Sequence, residues 1–297
     1  MTEKKPADSR AEAETRNRQH TRERLADMAR AFKKDPRAFV GKMEEATPAG
    51  TQPAAALLDA AIVFAEQGQF RPALSLLERA ADLYEEQRDM AGLARVYVNM
   101  GPLYGMLDDL DKGVRTSLKA EELAAKLPAD PELKLHYASD LGGMYTELEE
   151  WAKAMKYFQL ACDTARSTGN HEVEADALLV MSQVAVAKGD AAAARTLAEH
   201  GGKLGQSLQD KQFQARSLQT LGDADALEGK HEQALELFKQ ALELEAAQPD
   251  AELRQQLLWE MSEASEELGR ADEAAGYREQ AAELGTDDED DEEDDEE

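Results

Sequence analysis

Residues 217–246 read SLQTLGDADALEGKHEQALELFKQALELEA, and this stretch decides the fold. Leu218, Leu221 and Gly222 mark one apolar stripe at helical spacing, and Ala234, Leu237, Phe238 and Ala241 mark a second. Gly229 separates them, where a helix can exit through a left-handed residue. The stretch predicts a helical hairpin, with small residues where the two helices approach closely.

Working outward, the anchor Ala234 recurs as Ala73, Gly113, Ala154, Ala194 and Ala274, in steps of 40 or 41 residues. Seven residues after each anchor stands another small residue: Ala80, Ala120, Ala161, Gly201, Ala241 and Ala281. The turn before each anchor holds Gly68, Asp108, Glu149, Gly189, Gly229 and Gly269. Six copies in one register signal a solenoid whose units bury their faces against neighbours. The predicted class is all-α, an α-solenoid of about six antiparallel helix hairpins. Sparse proline and abundant alanine agree with it.

At these residues the chain resembles the tetratricopeptide (TPR) family. Leu221-Gly222, Gly229, Ala234, Phe238 and Ala241 match its motif, as do Leu141-Gly142, Tyr145, Ala154, Phe158 and Ala161, and also Gly101, Tyr104 and Ala120. The usual repeat of that family is about 34 residues. A period near 40 resembles the longer-helix branch of kinesin light chains, spindle-orientation adaptors and bacterial peptide-sensing regulators. The resemblance covers roughly residues 54–284 and implies a right-handed superhelix. Two copies depart from the motif: Ser182 and Ser262 stand where Gly is expected, and Ala198 and Arg278 where an aromatic is expected.

The formal charge of −28 is uneven. Residues 1–42 are net +5, residues 43–286 carry −22, and residues 287–297 are eleven consecutive acids. A body of this sign repels phosphates, which argues against nucleic-acid binding. No apolar run reaches the roughly 18 residues of a membrane span. The start, Met-Thr-Glu-Lys-Lys-Pro, has no apolar core, so it does not read as a secretory signal. A single cysteine, Cys162, rules out a disulfide within the chain and fits a reducing compartment. The expectation is a cytoplasmic protein.

The sequence divides into a polar arm over residues 1–20, capping helices and a linker over 21–53, the solenoid over 54–286 and a disordered acidic tail over 287–297. In the capping region Leu25, Met28, Ala29 and Phe32 have helical spacing. Asp35-Pro36 can then start a second short helix carrying Phe39, Val40 and Met43. Pro102, inside a predicted helix, should cost about 3 kcal/mol and kink it. That leaves either drift compensated by packing or a bend shaped for a ligand.

The search for chemistry yields little. Five histidines lie in different places, without metal-binding spacing. The glycines around Gly222–Lys230 and Gly201–Gly205 fail the phosphate-loop and dinucleotide patterns, and Asp223-x-Asp225 lacks the rest of a calcium loop. No nucleophile has an evident base. Neither catalysis nor a cofactor or metal is expected.

What remains is a surface. The resemblance implies that the first helix of each hairpin lines a concave groove for a peptide. By register the first two units offer Leu58, Ile62 and Glu66, then Arg95, Val98, Asn99 and Pro102. The third and fourth offer Ser139, Asp140 and Gly143, then Leu179, Gln183 and Val186. The last two offer Arg216, Gln219, Thr220 and Asp223, then Trp259 and Glu263. Amides there can bond a peptide backbone in both directions. Leu58, Ile62, Val98, Leu179 and Val186 would seat apolar anchors, and the surrounding acid favours a basic segment. The lysine and asparagine set with which chaperone-binding TPR domains clamp a carboxylate is missing. The leading expectation is a non-catalytic adaptor binding a peptide or helical segment of another protein. A peptide sensor, or an acidic chaperone-like protein acting through bulk charge, stays open beside it, as does self-association.

Overall fold

A computed structural model of the chain describes residues 35–45 and 52–285. The polar arm, the predicted helix from Arg22 and the acidic tail lie outside the described residues. Thirteen helices and no strand occur among the residues described. They group into two compact units that divide between residues 133 and 134.

The first unit begins with α1 (Pro36–Glu45). Asp35 caps it, its carboxylate accepting from the Ala38 amide at 3.1 Å. Two hairpins follow: α2 (Pro53–Glu66) with α3 (Phe70–Gln87), and α4 (Met90–Gly105) with α5 (Leu110–Ala124). Phe39 of α1 is buried and meets Phe64 of α2 edge-on, ring centroids 5.6 Å apart. A Phe so covered stabilises by about 2–3 kcal/mol. α4 runs through Pro102 to Gly105, so the proline sits within the final turn and a half and breaks nothing.

The second unit comprises nearly all of α6 (Pro131–Glu147), α7 (Trp151–Thr168), α8 (His171–Ala187), α9 (Ala191–Leu208), α10 (Lys211–Leu227), α11 (His231–Glu245), α12 (Ala251–Glu267) and α13 (Ala271–Gly285). Each hairpin pairs an even-numbered helix with the odd-numbered one after it. The first helices of successive hairpins also touch, α8 with α10 and α10 with α12, as α2 touches α4 in the first unit.

The repeat spacing has a direct physical cause. All twelve small positions, the anchors and their partners seven residues on, are buried. All six turn residues have positive φ, between 57° and 74°. Asp108 and Glu149 adopt this left-handed conformation although they carry side chains. In each case the amide of the following residue returns to the helix, as Lys230 N–H donates to the Asp225 carbonyl at 2.8 Å.

One of the motif's two departures is a matched pair. In α6 and α10 the rings of Phe158 and Phe238 fill the space beside Gly142 and Gly222, sixteen residues earlier. In α8 the partner shrinks to Ala198, and Ser182 fits. Its hydroxyl donates to the Leu179 carbonyl at 2.6 Å.

Candidate functional site

The predicted groove residues divide by burial. Leu58, Val98, Leu179 and Thr220 are buried, between 0% and 6% exposed. They are core, and offer no surface to a partner. Leu179 shows why: it packs over Gly201, where an added Cβ would stand 2.9 Å from its side chain. The expected row of apolar anchors is thereby reduced to Ile62 and Val186, both half-buried.

In the first unit the accessible candidates are Ile62, Arg95 and Asn99. Ile62 rests on the core, and Arg95 is exposed. Asn99 donates through Nδ2 to the Arg95 carbonyl at 2.7 Å, one turn back along α4. Its amide oxygen remains as an acceptor.

The second unit gathers more. Gln183 of α8, Arg216 and Gln219 of α10, and Leu253 and Gln256 of α12 line a cleft of about 300 Å³, with Asp250 and Glu252 at one end. Three consecutive first helices thus contribute polar side chains to one space. Arg216 is positioned by Asp176 of α8, Nη1 to Oδ1 at 2.9 Å. Gln219 is only 4% exposed and donates through Nε2 to Glu260 Oε1 at 2.7 Å and toward Gln256 Oε1 at 3.4 Å. Ser139 is exposed on α6, and Asp140 beside it is pushed up to about 7 by burial.

A second cleft, of about 250 Å³, is lined by Glu260, whose hydrogen-bond partner Gln219 lines the first. Asp223 of α10, His231 of α11, and Glu260 and Glu263 of α12 line it, with Glu266 and Glu267. Among the described residues no lysine or arginine lines it. Burial, and then the neighbouring charge of Asp223, push the Glu260 carboxyl up to about 9, while the Gln219 hydrogen bond pulls the other way. Burial and the charge of Glu263 push Asp223 up to about 7. Trp259, beside Glu260, is 44% exposed.

Of the candidates read by register, Gln183, Arg216, Gln219, Asp223 and Glu263 line these two clefts. That reading missed Asp176, Gln256 and Glu260. The signal was present: Glu260 stands one repeat, 40 residues, beyond Thr220 and 41 beyond Gln219.

No protein-family model matches the sequence, and no curated protein matches it. Solved structures do match in fold. The apo form of RapI is 16% identical with a TM-score of 0.66, over 84% of this chain and 89% of that one. A Rap protein complexed with Competence and Sporulation Factor is 15% identical with a TM-score of 0.63, over 91% of this chain and 76% of that one. Kinesin light chain TPR-like repeats from Podosopora anserina are 16% identical with a TM-score of 0.58, over 67% and 98%.

The chain has a TPR-like fold.

Within that TPR-like fold, the first cleft falls on the first helices, the face that the sequence resemblance assigned to ligands, and the second also takes in His231 and Phe238 of the second helix α11. No three His, Cys, Asp or Glu side chains among the described residues are grouped to hold a metal ion. No described helix is long and apolar enough to cross a membrane.

Proposed function

We propose that the protein is a non-catalytic scaffold, and that it holds a segment of another protein against the first helices of its TPR-like hairpins. The observation that carries this reading is the cleft lined by Gln183, Arg216, Gln219 and Gln256. Side chains from three successive repeats converge there, and they offer donors and acceptors in the mixture that an extended backbone needs. The apolar contribution is smaller than the sequence suggested, so affinity would come from polar and charged contacts with Val186 as a minor anchor. A segment carrying basic residues suits the acidic surroundings.

The sensor reading draws support from the Rap protein of similar fold that was solved with Competence and Sporulation Factor. In that version a short free peptide takes the place of the partner segment, on the same face.

Photo-crosslinking tests the proposal. A benzophenone amino acid would replace Gln183 in one variant and Glu236, exposed on a second helix, in another. Discrete adducts from lysate at residue 183 and none at 236 are expected. Equal labelling at both positions, or none at 183, would overturn the groove assignment.

A further inference from the structure

Gln219 and Glu260 form the wall between the two clefts, and each has one atom left over. The Oε1 of Gln219 and the Oε2 of Glu260 are buried without a hydrogen-bond partner. Leaving two such atoms without a partner is unfavourable, because each has lost its water and gained nothing in return. Gln219 Oε1 is an acceptor, and Glu260 Oε2 becomes one when the carboxyl gives up its proton, so what completes both is a donor that favours the carboxylate.

The charge around them narrows the choice. Asp223 and Glu263 line the second cleft with Glu260, from α10 and α12, and the described residues of that lining include no lysine or arginine. The guanidinium that the described residues bring to the first cleft, Arg216, is engaged by Asp176. An anion would be repelled, and a neutral donor would leave the clustered acid uncompensated. A planar guanidinium presents several N–H donors in a fixed fork and brings the missing charge.

We propose that the Gln219–Glu260 wall is the seat of an arginine, or less favourably a lysine, side chain of the partner segment, which donates to Gln219 Oε1 and Glu260 Oε2. This rests on the groove reading above and adds the chemistry of one fixed position in the bound segment.

The test is selection of phage-displayed random dodecapeptides on the full chain, repeated on Glu260→Gln and Asp223→Asn. Circular dichroism confirms that each variant folds, and Asp223→Asn carries the comparison if Glu260→Gln does not. The wild type should select an aligned consensus with arginine or lysine fixed at one position. That preference should vanish in the variants while the other consensus positions persist. A synthetic consensus peptide with citrulline in place of the arginine should bind wild type about tenfold more weakly or worse, and Glu260→Gln with nearly unchanged affinity. A consensus without a fixed basic residue would overturn the proposal and leave the groove reading intact. So would an equal citrulline penalty in both proteins. Basic residues spread evenly along the peptides, with binding lost at about 0.5 M salt, would indicate bulk charge instead. Failure to select any peptide would sink the groove reading itself.

Discussion

The ring of Phe238 occupies the space that a side chain at residue 222 would need: a Cβ added to Gly222 would lie 2.4 Å from it. The glycine is therefore a packing requirement between α10 and α11, since both residues are buried and residue 222 has ordinary helical backbone. Gly222→Ala should destabilise the fold by about 1–3 kcal/mol through overpacking. Phe238→Ala should cost about 3–5 kcal/mol through the cavity it leaves. The double change Gly222→Ser with Phe238→Ala recreates the Ser182 and Ala198 pair, and should cost less than the sum of Gly222→Ser and Phe238→Ala. Urea denaturation of the four proteins measures that coupling. Additive losses would mean the pair is not the constraint.

Glu245 is 1% exposed at the end of α11, yet it is fully served. It accepts from the Asp250 amide at 2.9 Å and from Arg254 Nε and Nη2 at 2.9 and 2.8 Å. The pair fastens the α11–α12 turn, where Asp250 also caps α12 through the Leu253 amide. Removing the guanidinium strands a buried charge. Arg254→Ala should lose about 3–5 kcal/mol, whereas Glu245→Gln, which keeps the shape and most hydrogen bonds, should lose less. Thermal unfolding of both variants tests the order. A neutral Arg254→Ala would show that solvent reaches Glu245.

These two relationships mark what was legible in the chain. Small residues at a 40-residue step announced the hairpins, because helix packing and left-handed turns act on residues close in sequence. They even located Asp108 and Glu149, whose side chains argue against positive φ. The candidate binding face was less legible. Leu58, Val98, Leu179 and Thr220 have groove register, but each first helix also serves the core and the next hairpin, and that burial depends on contacts far along the chain. Thr220 lies behind Ser182, 38 residues earlier. Glu260 is set apart from the other acids of α12 by Gln219, 41 residues earlier, and that neighbour comes from the packing of one hairpin on the next.

The buried carboxyls give stability a defined pH dependence. Glu260 rises from 4.5 to about 9, chiefly through burial, and Asp223 from 3.8 to about 7 for the same reason. Between those limits the unfolded chain releases protons that the native chain retains, so stability falls as pH rises. It is fully present below about pH 4 and lost on passing through 7 and 9. Glu263, Glu266 and Glu267 on α12 and His231 on α11 share the cluster, and Arg278 of α13 pairs with Glu266. The melting temperature should be higher at pH 5.5 than at pH 8.5. Glu260→Gln should raise it at pH 8.5 and flatten the slope. A wild-type melting temperature that climbs across this range would contradict the assignment.

The same carboxyl links binding to protons. In the free protein at pH 7 burial holds Glu260 protonated, whereas a guanidinium against Oε2 would favour the carboxylate. Seating a basic side chain should therefore expel up to about one proton, and affinity should strengthen from pH 6.5 toward pH 8.5. Bulk attraction predicts otherwise, because the exposed acids are already ionised across that range and would leave affinity nearly level. Calorimetry with the selected arginine peptide, in two buffers of different ionisation enthalpy, gives the proton count directly. Release should fall toward zero in Glu260→Gln and with the citrulline peptide. Release that persists in Glu260→Gln would move the titrating group to Asp223, and no release in the wild type would mean that the side chain does not reach Glu260.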